Sequence, residues 1–269
     1  MSKNERTELN NESSGIQIET VSFGTPHEDV QRFLAKNRLI SIDLQLTPIE
    51  RESIQNLVIS ENIGDFEYRG SADDLNLPSV LGTYLKRIGD NSEEVVRNVT
   101  SLMVRFAEGS ARFFDTKLIW IESRSFTPNN YFETPRWHTD AKFFNTYEPY
   151  KTVVALKGRQ TRFGVTTDPD RFIELSALEN KEKHGSEEDL KIREQLDEIT
   201  IEIGTPHEEN GAVFLVGGNN AIIHTEPRID TQRLFFSVIA GPKEEMDEWY
   251  NRMDKKRSRK KLETKSKSQ

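Results

Sequence analysis

The stretch that decides the fold is Thr134-Pro-Arg-Trp-His-Thr-Asp-Ala-Lys-Phe-Phe144, which carries a His-X-Asp motif at His138 and Asp140. We expect this stretch to form a β-strand, in which residues two positions apart point to the same face. The imidazole and the carboxylate would then enter one cavity together. With a second histidine from elsewhere they would form the two-histidine, one-carboxylate set that binds Fe(II) and leaves three coordination positions open.

The motif by itself is weak evidence, because short patterns of this kind arise by chance in a chain with five histidines. His27-Glu28-Asp29 is a second copy. There we predict the first turn of a helix with Thr25 as its N-cap, and residues i and i+2 of a helix diverge. His138 differs because it lies on a predicted strand among aromatic residues. Of the two copies, we therefore take only the one at His138 as a candidate metal site.

Length and composition restrict the classes of protein. The 269 residues suffice for one large domain or two small ones, and the balance of 34% apolar and 30% charged residues is typical of a soluble protein. The chain has no cysteine, so any metal site must use histidines and carboxylates. No run approaches the roughly 18 apolar residues of a membrane span, and residues 1–15 lack the apolar core of a signal peptide. We therefore expect a cytoplasmic protein.

The net charge of −8 hides an asymmetry. Residues 255–269 contain eight lysines and arginines and one glutamate, a net charge of +7, which leaves −15 on the rest of the chain. An acidic body argues against broad contact with nucleic-acid phosphates, so only the basic tail could contact nucleic acid. In a eukaryote the tail would also suit a nuclear import signal. A solvated, disordered end is the simplest interpretation.

Helix signals dominate the first half of the chain and strand signals the second. Thr25-Pro26 and Thr47-Pro48 are typical helix starts, and Asn91 is predicted to cap a longer helix with an apolar stripe. From Thr116 the apolar period changes to two, and short strands alternate with turns. We predict an α+β fold, a double-stranded β-helix (a jelly-roll or cupin-like barrel) with an N-terminal helical layer.

The same pattern predicts the organisation of the chain. The predicted segments are a disordered N-terminus (1–18), a helical support region packed on the barrel (19–115), the barrel (116–241), and a C-terminal helix with a basic disordered tail (242–269). Residues 168–198 form a charged, partly helical insertion without a strong apolar stripe, which we interpret as a lid or as a solvated excursion. His184 and His207 fall in polar loops and receive no role.

His224 and Arg233 are the further candidate site residues. His224 ends the apolar run from Ala221, 86 residues after His138, and strands so far apart can face each other across a barrel. Taken alone, it would also fit a hydrogen-bonded core histidine. Arg233 opens an apolar strand nine residues later. An unpaired buried charge is very costly, so Arg233 requires an anion such as a bound dicarboxylate.

Together these residues resemble the Fe(II)- and 2-oxoglutarate-dependent oxygenases. The spacing from distal histidine to Arg233 resembles the prolyl-hydroxylase branch. The segments Arg136-Trp137-His138, residues 157–161 and His224-Thr-Glu-Pro look most similar to an uncharacterised bacterial family of presumed members. The resemblance covers about residues 116–241.

The resemblance implies an activity, its cofactors and its site. It implies an oxygenase, most simply a hydroxylase, that uses Fe(II), 2-oxoglutarate and dioxygen and produces succinate and CO2. The primary substrate stays unknown. The implied metal ligands are His138, Asp140 and His224, and the implied co-substrate contacts are Arg233, Ser237 and Arg136.

Some residues depart from the family pattern. Many members have Ser or Thr two residues after the arginine, where this chain has Phe235; Ser237, on the same strand face, could compensate. Glu226 is a rival ligand and Arg228 a rival anion partner. Arg136 fits equally well an ion pair with the acidic body. The alternative function is a cupin-like metal-binding or partner-binding protein without turnover.

Overall fold

Seven helices and ten strands occur in the residues that the computed structural model describes, which are 18–60, 66–140, 149–218 and 220–266, with side chains as far as residue 255. The helices are α1 (His27–Asn37), α2 (Pro48–Asn56), α3 (Leu77–Ile88), α4 (Glu93–Phe113), α5 (Pro169–Glu179), α6 (Glu187–Glu198) and α7 (Lys243–Ser266). The strands are β1 (Glu19–Ser22), β2 (Leu39–Asp43), β3 (Phe66–Ser71), β4 (Leu118–Phe126), β5 (Tyr150–Lys157), β6 (Arg162–Thr166), β7 (Thr200–Gly204), β8 (Asn210–Leu215), β9 (Ile223–Thr225) and β10 (Arg233–Ala240). Residues 1–17 of the predicted disordered N-terminus, and Phe143 and Phe144 beside the His-X-Asp motif, lie outside the described residues.

The strands form two sheets. The large sheet has the order β1-β2-β8-β5-β10-β4-β3 and is antiparallel except for the pair β1–β2, and the small sheet has the order β7-β6-β9. The sheets pack face to face where the Phe214 ring of β8 contacts the rings of Phe163 and His224, at centroid distances of 5.0 and 4.8 Å. The predicted α+β class and the double-stranded β-helix with its N-terminal helices are confirmed. The barrel that the sequence predicts differs in one respect, because the described strands belong to two sheets and not to one closed barrel.

Helices α2, α3 and α4 cover the opposite face of the large sheet. In β10, Leu234, Phe236 and Val238 point to this side and are fully buried, while Arg233 and its alternate neighbours point to the small sheet. The Phe106 ring of α4 packs edge-on against Phe236 at 5.7 Å. A helical layer therefore supports the sheet from behind and leaves the other face for the site.

The helix starts show where local sequence signals suffice. Thr47 caps α2 with a complete capping box, since its hydroxyl accepts from the Glu50 N–H at 3.2 Å and the Glu50 carboxylate accepts from the Thr47 N–H at 2.8 Å. The similar Thr25 does not cap α1, which begins at His27 without a side-chain cap. Its hydroxyl accepts from the Ser22 N–H at 3.0 Å instead. The predicted cap at Thr25 is therefore wrong.

The long helix α4 is capped by Ser92, whose hydroxyl accepts from the Val95 N–H, and not by the predicted Asn91. The Asn91 amide instead accepts from the Val58 N–H at 2.7 Å and donates to the Leu85 carbonyl at 2.9 Å. Asn91 thus ties α3 to the chain after α2.

The charged insertion has a small core of its own. Phe172, Leu175 and Leu196 of α5 and α6 pack with Trp137 and Ile223, and all five are buried. Two members of this core lie outside the insertion. For this reason no complete apolar stripe appears within residues 168–198, and the sequence did not predict the core. Trp137 and Ile223 directly precede His138 and His224. The insertion therefore supports the candidate site, rather than being a solvated excursion.

Helix α7 packs on the face of the large sheet that is turned toward the small sheet. Met246 and Trp249 are buried, and the Tyr250 hydroxyl donates to the Ile119 carbonyl of β4 at 3.0 Å. The helix continues to Ser266, where the sequence predicts a disordered tail. Residues 255–266 are rich in lysine and arginine and lack glycine and proline, so helix propensity favours the continuation. In the part of the chain that the structure describes, no helix is both long and apolar enough to cross a membrane.

Candidate metal centre

His138 and His224 are joined by a reciprocal pair of backbone hydrogen bonds. The His138 N–H donates to the His224 carbonyl at 3.0 Å, and the His224 N–H donates to the His138 carbonyl at 2.9 Å. Residues paired in this way project their side chains to the same face, and the two imidazole centroids are 4.4 Å apart. The histidines are direct cross-strand neighbours. The expectation that they face each other across a barrel is wrong.

His138 lies in an isolated bridge and not in the predicted strand. Two features interrupt the ladder before it. Pro135 has no N–H to donate, and the Arg136 N–H donates to the Thr225 hydroxyl at 2.9 Å rather than to a backbone carbonyl. The single bridge nevertheless suffices to place the imidazole.

The same hydrogen-bond pattern orients both imidazoles. Nδ1 of His138 lies 2.8 Å from the Arg136 carbonyl, and Nδ1 of His224 lies 3.1 Å from the Ile222 carbonyl. Because a carbonyl oxygen can only accept, each Nδ1 carries a proton, and in the neutral ring Nε2 keeps its lone pair. Each histidine thus presents Nε2 as a potential metal ligand, with the partner contact that metal-binding histidines require.

Asp140 completes the cluster. The ligand atoms of His138, Asp140 and His224 lie within 4.8 Å of one another, and Asp140 Oδ2 is 3.7 Å from His224 Nε2. Lys151 of β5 contacts the same carboxylate oxygen at 3.3 Å. Burial by itself raises the pKa of Asp140, but the charge of Lys151, with those of His224 and His138 when protonated, lowers it well below its usual range. The carboxylate is therefore ionised, as metal binding requires.

His224 is also in the protonation state that binds a metal. Burial, followed by the neighbouring His138, lowers the pKa of His224 to about 4, while Asp140 acts in the opposite direction. The imidazole is thus neutral at physiological pH.

Arg233 is buried with part of its guanidinium unsatisfied. Its side chain starts β10 on the face turned toward the small sheet, and the residue is 1% exposed. Nε donates to the Arg159 carbonyl at 3.0 Å and Nη2 lies 3.5 Å from the Thr161 hydroxyl, whereas Nη1 has no hydrogen-bond partner among the described residues. Burial lowers the pKa of Arg233 to about 10, although nearby Glu226 raises it. The guanidinium remains charged at neutral pH.

Gly158 allows the turn after β5 to bring the Arg159 carbonyl close to Arg233. This residue has a φ of +84°, and a Cβ placed on it would lie 2.7 Å from the Gln232 carbonyl oxygen. Only glycine tolerates both conditions without strain. The turn can therefore approach the start of β10 closely enough for Arg159 to accept a hydrogen bond from Arg233.

Phe235 occupies the position where the family pattern has a hydroxyl. Its ring lies against the Arg233 guanidinium, with the guanidinium carbon 5.1 Å from the ring centroid, and Phe126 contributes a second ring at 5.9 Å. Ser237 is 1% exposed and donates its hydroxyl to the Glu122 carbonyl at 3.3 Å. Aromatic contacts thus take the place of the hydroxyl, and Ser237 is engaged with the main chain.

Arg136 and Arg228, the other arginines predicted as possible anion contacts, form ion pairs with carboxylates of the protein. Arg136 forms an ion pair with buried Glu179 at 2.5 Å, which is the alternative that the sequence left open. Arg228 pairs with Glu133 at 3.4 Å on the surface.

Glu226, the rival metal ligand, differs from these arginines, because its Oε2 is buried without a hydrogen-bond partner among the described residues. Burial raises the pKa of Glu226, but the charge of His138 when protonated and that of Arg233 outweigh this effect and lower it to about 2.

Lys151 and Thr161 also contact the candidate site residues, and the sequence alone did not predict these contacts. Lys151 adjoins the apolar run of β5, and alternation would have placed it on the same face as Val153. Its contact with Asp140 depends on where residues 138–140 lie relative to β5, which no local pattern reveals. Thr161 lies in the quoted 157–161 segment, but its approach to Arg233 depends on the turn geometry.

No family model and no curated protein matches the chain. Among solved structures, the chain is similar to a dioxygenase for auxin oxidation from rice, with 8% identity over 85% of this chain and 87% of the other and a TM-score of 0.43. It is similar to Neurospora crassa T7H in complex with alpha-KG, with 10% identity over 86% of each chain and a TM-score of 0.41. A Burkholderia pseudomallei oxidoreductase of the 2OG-Fe(II) oxygenase family gives 11% identity over 83% of this chain and 94% of the other, with a TM-score of 0.35. The site described above rests on this chain's own side chains.

Proposed function

We propose that the protein is an Fe(II)- and 2-oxoglutarate-dependent oxygenase, most simply a hydroxylase. The observation that carries the proposal is Arg233, a buried guanidinium whose Nη1 lacks a partner among the described residues, on the strand face turned toward the His138–Asp140–His224 cluster. A metal-binding module without an anionic co-substrate has no need for such a group.

The donor set fits Fe(II). Two Nε2 lone pairs and one ionised carboxylate provide three ligands, and an octahedral ion then keeps three positions for other groups. Bound Fe(II) together with 2-oxoglutarate would supply the activation of dioxygen, with succinate and CO2 as the co-products. The protein's part is to hold the three ligands in place. The Arg136 and Ile222 carbonyls fix the two imidazoles, and Lys151 holds the Asp140 carboxylate.

Arg233 fits the distal carboxylate of 2-oxoglutarate. A planar guanidinium binds a carboxylate through two parallel hydrogen bonds, which an ammonium group cannot do. The contacts with the Arg159 carbonyl, the Phe126 ring and the Phe235 ring hold the guanidinium in one orientation and exclude water from it. A carboxylate at Nη1 would satisfy the buried donor that is otherwise left unpaired.

One observation favours the non-catalytic alternative. Oε2 of Glu226 is buried, and Arg233 is close enough for its charge to lower the pKa of this carboxylate. It could balance the charge of Arg233 within the protein, and a cupin-like metal-binding protein would then need no co-substrate. The two functions differ in whether 2-oxoglutarate binds to the metal-loaded protein.

The test is to add Fe(II) and 2-oxoglutarate to the protein under anaerobic conditions, record the visible charge-transfer band, then admit oxygen and measure succinate. We expect the band and succinate from the wild type and from His27→Ala, which alters the other His-X-Asp copy, and neither from His138→Ala. Metal binding without either signal in the wild type would contradict the oxygenase and support the alternative.

A further inference from the structure

A second cluster of metal-binding side chains lies in the insertion. Glu179 ends α5, His184 lies in the connecting turn, and Asp189 is in the first turn of α6. One ligand atom from each lies within 4.8 Å of the other two. The three residues are spaced five apart in sequence, so a single helix–turn–helix supplies the whole set.

Asp189 shows that the cluster is incomplete without another group. Its side chain is 0% exposed, and Oδ2 accepts from the Gly185 N–H at 2.7 Å and pairs with Arg193 at 2.8 Å. Oδ1 has no hydrogen-bond partner among the described residues and lies 3.9 Å from His184 Nδ1. A buried carboxylate oxygen is costly to leave unsatisfied, so this oxygen calls for a cation or a donor between itself and the imidazole.

The cluster keeps lone pairs for a metal ion although both carboxylates are paired with arginines. Arg136 donates to both oxygens of Glu179, at 2.5 and 3.3 Å, and Arg193 pairs with Oδ2 of Asp189. A carboxylate has about four lone-pair positions and can bind a metal and an arginine together. Burial and the charge of Arg136 lower the pKa of His184, so its imidazole is neutral, which is the form that binds metals. Its side chain is 48% exposed, which gives an ion a path from solvent.

We propose that Glu179, His184 and Asp189 form a second divalent-metal site, suited to Zn²⁺. One imidazole and two carboxylates, with water in the fourth position, are a ligand set that Zn²⁺ accepts. Gly185 has a φ of +80°, and a Cβ placed on it would have no atom within 4 Å, so the turn is free to bring His184 back toward Asp189. An ion here would fix the turn between α5 and α6 and, through Glu179 and Arg136, the segment that leads to His138.

The test counts bound Zn²⁺ by elemental analysis after equilibration and dialysis. We expect two equivalents for the wild type, one for His184→Ala, one for His138→Ala and none for the double variant. His207→Ala, which alters another exposed histidine, should retain two. His184 is half exposed, so its removal should leave the fold intact, and circular dichroism checks this. Asp189→Asn is avoided because it would leave Arg193 buried without a charged partner.

Affinity gives a second measurement. Titration of Zn²⁺ into His138→Ala, which retains only the proposed second site, should give a dissociation constant that increases at least about 100-fold when His184→Ala is added. If His184→Ala retains the stoichiometry and affinity of its parent protein, the second site is contradicted. This outcome is distinct from failure of the first site, in which His138→Ala alone would leave Zn²⁺ binding unchanged.

Discussion

Arg233 is the residue on which the proposed function depends most. Its removal should affect 2-oxoglutarate and not the metal, because it does not belong to the ligand cluster. We expect Arg233→Gln to weaken 2-oxoglutarate binding about 100-fold, which corresponds to roughly 3 kcal/mol for a buried charge-assisted pair. Titration of the charge-transfer band measures this.

Arg228→Gln is the matched control, since Arg228 is 59% exposed and pairs with Glu133 at the surface. It should change the affinity by less than about twofold, as is usual for exposed ion pairs. An equal loss in both variants would contradict the assignment of Arg233.

The buried imidazole of His224 predicts how stability depends on pH. Its pKa is about 4 in the folded protein, against an ordinary value of 6.5. Between these values the unfolded chain binds a proton here that the folded protein does not, so acidification from pH 6.5 to 4 favours unfolding, by up to about 3 kcal/mol. Urea denaturation of the metal-free protein at several pH values checks this, and His224→Gln should flatten the dependence over that range.

Helix α2 gives a prediction at the scale of one element. Because the capping box at Thr47 is complete, Thr47→Ala should lower the free energy of unfolding by about 1 kcal/mol, whereas Thr47→Ser should retain the cap and most of the stability. Thr25→Ala should cost less, since Thr25 caps no helix. Denaturant unfolding of the three variants compares them. Equal losses for Thr47→Ser and Thr47→Ala would show that the hydroxyl is not what stabilises the helix start.

The insertion core predicts coupling between α6 and the metal centre. Leu196 is fully buried in this core together with Trp137 and Ile223, the residues that precede the two histidines. We expect Leu196→Ala to cost about 2–5 kcal/mol and to weaken Fe(II) binding, although Leu196 is not one of the candidate metal ligands. Leu190→Ala, in the same helix but 38% exposed, should alter neither quantity appreciably. Unchanged metal affinity in folded Leu196→Ala protein would mean that the insertion does not support the site.

At the scale of the whole molecule, Met246 and Trp249 are the buried side chains through which α7 is expected to contribute to stability. Truncation after Lys255 keeps buried Met246 and Trp249, so the melting temperature and Fe(II) binding should stay close to those of the full chain. Truncation after Gly241 removes both side chains and should cost more than the about 3–5 kcal/mol of a single buried tryptophan. Thermal unfolding of the two truncated proteins separates these cases. Loss of metal binding on truncation after Lys255 would contradict this expectation.

The sequence predicts the fold class well because the change of apolar period at Thr116 is a local signal. It also selects His138, Asp140, His224 and Arg233 as a set. Long-range pairing is what it could not supply. Neither the bridge between the two histidines nor the contact of Lys151 with Asp140 leaves a local trace.

The similar starts at Thr25 and Thr47 make the same point on a smaller scale. Both have the Thr-Pro-X-Glu pattern, and only the turn after β1, which uses the Thr25 hydroxyl for the Ser22 N–H, separates them. A local motif therefore predicts a cap only where no neighbouring turn competes for the hydroxyl.

The backbone bridge between His138 and His224 also sets the order of events during synthesis. The two residues are 86 positions apart, so at about 5–20 residues per second a ribosome needs roughly 4 to 17 s to add the second histidine after the first. Until then this site offers only the His138 imidazole and the Asp140 carboxylate, which is too small a set to retain a metal ion. If the proposed function holds, iron would be acquired at this site only after β9 has left the ribosome and paired, and a chain stalled before that point would lack it.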